Sequence, residues 1–275
     1  MSTILYWIKR CIPTSVLKRI RPPYHYSLAY LGDLIYRHPS RDITVIGVTG
    51  TKGKSTVTEL ITHILEADGN KVASLSTIQF KYGEKVERNL FKMTMPGRFF
   101  VHHFLRRAVD EGCTYAVMEM TSEGAAQFRH KFVHLNALVF TNLSPEHIES
   151  HGSFENYKQA KLSIAHELEQ SVKQPRFIVA NADDEHGGDF LKVRVDEKLP
   201  YSLNDLKLYT LQKDGISLIF QDGDEEATIR VPLVGLFNVY NTLAAITITR
   251  ALGVKLRTIE GALRHLPPVQ GRVEQ

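Results

Sequence analysis

Apolar residues follow two alternating rhythms along most of this 275-residue chain. Short runs rich in β-branched residues, at 43–48, 71–75, 114–119, 136–140 and 176–180, read as buried strands. Between them apolar residues recur at helical spacing. Val57, Leu60, Ile61, Ile64 and Leu65 do so in 57–67, and Phe100, Phe104, Leu105 and Ala108 in 97–111. A further helix is expected over 154–169. Strand alternating with helix predicts an α/β fold, a mostly parallel sheet with helices on both faces. After residue 206 the rhythm changes. Three short runs, 207–211, 216–220 and 227–231, are joined by Asp214-Gly215 and Asp222-Gly223. They read as a small antiparallel meander at the sheet edge. Helices over 238–252 and 257–266 follow. The first forty residues stand apart as an N-terminal helical arm (1–40) before one larger domain (41–275). Arg21-Pro22-Pro23 is expected to break this arm, with its second piece a helix over 26–36.

Composition narrows the class. Hydrophobic residues make up 43% and charged residues 23%, an ordinary balance for a soluble globular protein. Net charge is +4 with no Lys/Arg run, so no nucleic-acid partner is expected. Cys11 and Cys113 lie far apart without metal-ligand spacing, which fits a reduced, cytoplasmic compartment. No apolar run reaches the length of a membrane span. The stretch 4–8 is too short for a signal core, and its charges, Lys9 and Arg10, follow it. Residues 4–38 mix aromatics with Lys9, Arg10, Lys18, Arg19 and Arg21. Two readings stand: a basic amphipathic segment making weak contact with a membrane surface, or an arm packed on its own domain.

The chemistry begins where the first strand ends. The run 43–48 stops at a turn, Gly50-Thr51-Lys52-Gly53-Lys54-Ser55-Thr56, and a helical pattern follows. Strand, Gly-rich loop and helix in that order make a phosphate-binding loop. Its glycines let backbone N–H groups close around a phosphate, and the helix N-terminus adds partial positive charge. Lys54 can reach the terminal phosphates, and the Ser55 hydroxyl can hold Mg²⁺. The spacing departs from G-x-x-x-x-G-K-[ST]: Gly47 is one residue too far from Gly53, and Gly50 is too close. Three further segments carry candidate chemistry. Glu119 ends a buried strand, where an open α/β sheet places its ligands, and its carboxylate can hold Mg²⁺ beside the phosphates. The segment 141–152 also follows a strand and brings His147 and His151 together with acids, without a zinc signature. Lys158 and Lys161 open the next helix; on composition alone they are solvated surface lysines.

Together these segments resemble the Mur ligase family of ATP-dependent, amide-forming ligases of peptidoglycan precursor synthesis. Residues 50–55 look like its G-T-[NK]-G-K-[ST] signature, which accounts for the glycine spacing. Residues 141–152 look like its strand-end histidine motif. Tyr157-x-x-Ala160-Lys161 looks like the motif whose lysine is carbamylated in several members. Residues 181–184, the Gly235, Asn238 and Asn241 positions, and Gly271-Arg272-Val273-Glu274 match further family segments. The resemblance covers about residues 40–275. Glu119 to Gly124 and Thr94-Met95-Pro96 favour the branch that adds the third amino acid of the stem peptide.

The resemblance implies a stepwise reaction. A substrate carboxylate attacks the γ-phosphate of ATP to form an acyl phosphate, and an amine then displaces phosphate. Lys54 and residues 51–55 would hold the β- and γ-phosphates. Ser55 and Glu119 would hold one Mg²⁺, and His147 a second. A carbamate on Lys161 would turn a repelling cation into an oxygen ligand. Asn238 and Arg272 would lie near adenine or ribose, and Thr94 and Ser122 would hold the carboxylate substrate. The implied partners are a UDP-muramoyl peptide and an amino acid. Two positions depart from the pattern: Glu123 stands where many members have histidine, and Glu146 where aspartate is frequent. The family's usual N-terminal domain is reduced to about forty residues, and the sequence stops at Gln275, before the expected C-terminal ligase domain. A chain of this kind is expected to bind Mg-ATP and to ligate weakly without a partner supplying that domain. Two alternatives stand beside this reading: a folylpolyglutamate-type ligase, and a non-catalytic ATP-binding module.

Overall fold

The computed structural model describes residues 14–91, 93–146 and 148–267. Helix α1 (Thr14–Ile35) precedes strand β1 (Thr44–Thr49), helix α2 (Lys54–Ala67) and strand β2 (Val72–Leu75). Strands β3 (Gln79–Tyr82) and β4 (Lys85–Arg88) form a hairpin before helix α3 (Arg98–Asp110). Strand β5 (Tyr115–Glu119) leads into the short helix α4 (Ser122–Ala126). Strand β6 (Ala137–Phe140) leads through α5 (Ile148–His151) into helix α6 (Phe154–Glu169). Strand β7 (Phe177–Asn181), α7 (Gly187–Phe190) and strand β8 (Glu197–Tyr201) complete the main sheet. Strands β9 (Leu206–Leu211), β10 (Ile216–Asp222) and β11 (Glu225–Val231) precede helices α8 (Leu236–Ala251) and α9 (Leu256–Arg264).

The main sheet has eight strands in the order β4-β3-β2-β5-β1-β6-β7-β8, and all its pairings are parallel except β2 with β3 and β3 with β4. Strands β1, β2, β5, β6 and β7 are buried on both faces, as the apolar runs predict. Alternate residues of β1 enter different cores. Ile46 and Val48 pack with α2 and α8, while Val45 packs with α3 and α6. Gly47 lies within β1, and a Cβ there would meet Met120 Sδ at 2.6 Å, so its glycine serves packing and takes no part in the loop. The segment 207–231 forms a sheet of its own, in the order β11-β10-β9. It does not extend the main sheet; its buried face, with Leu218 and Ile229, joins the core under α8 and α9. The antiparallel edge of the main sheet is instead the β3–β4 hairpin.

The arm corrects another expectation. Helix α1 continues through Pro22 and Pro23 without a break. Residues 19–24 are all exposed, so water can serve the carbonyls that the prolines leave without N–H donors. Further along, Ala29 and Asp33 are buried, and Tyr26 packs edge-on against Phe128 and Phe132.

Candidate functional site

Three parallel strands set the site. β1 pairs with β5 in the register Val48↔Glu119 and with β6 in the register Thr49↔Phe140. Their carboxyl ends therefore lie side by side, and the segments that leave them meet. This is where an open α/β sheet binds ligands.

The loop from β1 to α2 is held from outside through a carbonyl, a side chain and the amides of Thr51 and Lys52. Thr141 Oγ1 donates to Lys52 O at 2.7 Å, and Asn142 Nδ2 donates to the same oxygen at 3.1 Å. Thr51 N donates to Asn142 O at 2.8 Å, and Lys52 N to Asn142 Oδ1 at 2.9 Å. Thr51 Oγ1 lies 2.9 Å from the buried Tyr157 hydroxyl. Two glycines allow the path. Gly50 has φ +148° and Gly53 φ +85°, and a Cβ would come within 2.0 Å of Thr141 Oγ1 or 2.2 Å of Asn241 Oδ1 respectively. Helix α2 begins at Lys54, so the amides of its first turn have no helical acceptor behind them. Ser55 and Thr56 are buried in that turn.

Two lysines converge on one carbonyl. Lys54 Nζ donates to Gly50 O at 2.9 Å and to Thr51 O at 2.8 Å. Lys161 Nζ donates to Gly50 O at 2.7 Å and lies 4.8 Å from the centre of the Tyr157 ring. Lys161 is 2% exposed, which overturns its reading as a solvated lysine. Burial, and then the charge of Lys54, drive its amine well below the usual lysine range. Lys158, three residues earlier, turns away and pairs with Asp189 at 2.5 Å.

Glu119 is buried at the end of β5. Its Oε1 accepts from Thr77 N at 3.0 Å and its Oε2 from Thr77 Oγ1 at 3.1 Å. Thr77 Oγ1 lies 2.8 Å from Thr94 Oγ1, so Thr94 joins the carboxylate through one hydroxyl. Ser122 is buried, with its Oγ 3.1 Å from His151 Nε2. The His151 ring stands edge-on to Tyr157. On the other side, Asn238 Nδ2 donates to Val234 O at 2.8 Å, and its Oδ1 accepts from Asn241 Nδ2 at 2.9 Å. Asn241 is the residue that crowds Gly53, so the start of α8 lies over the loop. Lys52 is exposed and faces Glu146 at 3.6 Å. His147 and Arg272 lie outside the described residues.

Several contributors carry no motif of their own. Thr77 links Glu119 to Thr94. Buried Arg129 binds the Met95 carbonyl through Nη1 and Gln127 Oε1 through Nη2 at 2.8 Å, which holds the 94–96 segment against α4. The 181–184 segment acts by positioning. Asn181 Nδ2 donates to Thr141 O at 3.1 Å, and Asp184 Oδ2 accepts from Leu143 N at 3.0 Å. Asp183 Oδ2 accepts from Leu203 N and from the Tyr240 hydroxyl. Residues 181–184 already matched a family segment, whereas only its place on a strand-end loop could have flagged Thr77.

The donor set favours a hard cation held with a phosphate ligand. Ser55 and Glu119 offer oxygen, and among the described residues no group of three or more His, Cys, Asp or Glu could hold a metal by itself. Mg²⁺ suits such a site, since it takes one or two protein oxygens and completes its shell from phosphates and water.

Comparison with known proteins agrees with this geometry. Residues 48–249 match the family description Mur ligase middle domain. Over 264 residues the chain is 34% identical to a UDP-N-acetylmuramyl-tripeptide synthetase of Roseiflexus sp. (strain RS-1), covering 90% of this chain and 52% of that protein. Over 254 residues it is 33% identical to a UDP-N-acetylmuramoyl-L-alanyl-D-glutamate–2,6-diaminopimelate ligase of Caldanaerobacter subterraneus subsp. tengcongensis, covering 90% and 51%. A solved structure of a ligase of the latter name has 25% identity and a TM-score of 0.74, over 84% of this chain and 48% of that one. The chain thus spans about half the length of the curated relatives it matches.

Proposed function

Because this chain belongs to the Mur ligase family, we propose that it forms the ATP-binding part of a ligase joining an amino acid to a UDP-N-acetylmuramoyl peptide. The reading places it in the cytoplasm, in peptidoglycan precursor synthesis. The observation that carries it is the convergence of Lys54 and Lys161 on Gly50 O, in the loop that leaves β1 beside the strand end carrying Glu119.

Each residue then has a task. The first-turn amides of α2 and Lys54 bind the β- and γ-phosphates, which positions ATP for in-line attack. Ser55 and Glu119 would hold Mg²⁺, which would supply positive charge to neutralise the phosphates. Thr77 donates to both oxygens of Glu119, which fixes the orientation of the carboxylate at the end of β5. Thr94 and Ser122 orient the carboxylate of the peptide substrate, with His151 holding the Ser122 hydroxyl. Asn238 contacts the nucleoside from the start of α8. Lys161 is buried and shifted toward its neutral amine, the form that adds CO₂ to give a carbamate and a proton. Its two oxygens would serve as ligands to Mg²⁺, where an ammonium would repel it. Amide formation needs a further domain over the open loop, whether from the same polypeptide or from a partner, to exclude water and present the amine.

The test is calorimetric titration of the chain with a non-hydrolysable ATP analogue and Mg²⁺, beside the Lys54→Ala variant. Binding should weaken at least about tenfold in the variant, the equivalent of one charge-assisted hydrogen bond. Equal affinity for the two proteins would remove the loop from nucleotide binding and with it the proposal.

A further inference from the structure

We propose that helix α1 is a membrane-surface anchor that places the outer face of the arm on anionic lipid. The helix has two apolar faces, and the body of the protein covers only one. The covered face carries Ala29 and Asp33, with Tyr36 beside His103 of α3. The opposite face carries Ile20, Tyr24, Leu31, Leu34 and Ile35, exposed at 54%, 57%, 43%, 48% and 59%. Their spacing of four, then seven, then three or four residues keeps all five on one stripe of a helix with 3.6 residues per turn.

Charge selects the occupant. Arg19 and Arg21 stand about 100° to either side of Ile20, one on each border of the stripe. Arg37 and Arg41, beyond the helix end, are also exposed. The one acid among residues 14–35, Asp33, is buried on the covered face and paired with His38 at 2.5 Å. Tyr30, 49% exposed, lies on the flank, a place suited to an aromatic ring with a polar tip at a lipid–water boundary. An apolar stripe bordered by cations and free of acids matches the interfacial helix that lies in the plane of an anionic membrane. A second copy is a poorer occupant. Parallel pairing would set Arg19 and Arg21 against themselves, and antiparallel pairing would set them toward Arg37. The inference is independent of the proposed ligase activity, because no residue of the stripe belongs to the loop site.

The test is co-sedimentation of the full chain with vesicles of mixed phosphatidylglycerol and phosphatidylcholine, and with phosphatidylcholine alone. Binding is expected on the anionic vesicles, weakening as salt rises. Leu31→Ser with Leu34→Ser should abolish it. Arg19→Gln with Arg21→Gln should lower partitioning about 30-fold, at about 1 kcal/mol for each cation near such a surface. Both sites are solvent-exposed, and unchanged far-UV circular dichroism and unchanged nucleotide binding would certify the fold. Failure to sediment with anionic vesicles would overturn the proposal. So would a dimer in analytical ultracentrifugation that dissociates in the Leu31/Leu34 variant, because it would give the stripe to a second copy.

Discussion

Replacing Lys161 with methionine tests the electrostatics of the site directly. The ammonium of Lys161 would be buried, 2% exposed, beside a second lysine that donates to the same carbonyl, Gly50 O. Burial first, and Lys54 second, favour the neutral amine. An unfolded lysine holds its proton up to a pH near 10.4. From the depressed folded value up to about 10.4 the unfolded chain therefore binds one proton more than the folded one. Stability contributed by this group must rise with pH across that window, at up to about 1.4 kcal/mol per pH unit, and be flat above it. The methionine side chain of the Lys161→Met variant would carry no proton and keep much of the apolar stem. Gly50 O would keep Lys54 as a donor, so no buried acceptor is orphaned. The expected result is a variant more stable than the parent at pH 7, with an advantage that shrinks as pH rises, by no more than about 1.4 kcal/mol per unit. Urea denaturation at pH 7, 8 and 9, in buffer freed of CO₂, measures it. Lys173, pushed down to about 8 by burial, titrates in both proteins and cancels in the difference. Parallel stability curves for the two proteins would mean that Lys161 stays charged when buried, and the account of its chemistry would fail with them.

Other sites give sharp outcomes. Gly53→Ala forces a side chain onto φ +85° with its Cβ 2.2 Å from Asn241 Oδ1. It should cost about 1–2 kcal/mol from the backbone alone, and the double variant with Asn241→Ala should recover only the steric remainder, read by thermal unfolding. Full recovery would show that the backbone carries no strain. Glu119→Gln keeps an oxygen for Thr77 N but loses the negative charge. Binding of an ATP analogue should then demand several-fold more Mg²⁺, and an unchanged Mg²⁺ dependence would remove Glu119 from the metal site. His130 and His102 are buried, and burial pushes them down to about 3 and about 4. The unfolded chain protonates them near pH 6.5, so stability should fall as pH drops from 6.5 toward 4, by up to about 1.4 kcal/mol per unit for each. His130→Leu should flatten that acid limb, and an identical limb in parent and variant would contradict its buried neutral state.

Local patterns were legible wherever one strand or one loop carried its own reason. The buried strands, the helix over 154–169 and the loop between Gly50 and Thr56 rest on short-range periodicity and turn chemistry, and they stand as expected. The hairpin of β3 and β4 escaped because each strand has four residues, and β4, with Lys85, Glu87 and Arg88, is exposed throughout. Strand β8 escaped because Pro200 sits in it, which only an edge strand tolerates. Proline misled in the other direction at α1, where a solvated helix absorbs Pro22 and Pro23. In the site, Glu119 was readable as a strand-end acid. Thr77 and Arg129 were not, because their roles arise from long-range hydrogen bonds across separate segments.

The burial of Lys161 was equally invisible to composition, and it gives the loop its character. Two amines share Gly50 O, and one of them also holds Thr51 O. Both acceptors are neutral carbonyls of the loop itself. A phosphate offers Lys54 an anion instead, and such charge-assisted bonds are roughly twice as strong as neutral ones. Nucleotide therefore draws Lys54 outward at little cost, and Gly50 O keeps a donor in Lys161. Removing the Lys54 charge from its neighbourhood would also lessen one of the two causes that hold the Lys161 amine neutral. Burial remains the larger cause, so the Lys161 amine stays neutral only while it stays covered. The Thr51–Tyr157 contact at 2.9 Å keeps that cover in place by tying the loop to the helix that carries Lys161. Loop, lysine and tyrosine are thus joined in one cluster of contacts, Thr51 to Tyr157 and Gly50 O to both amines.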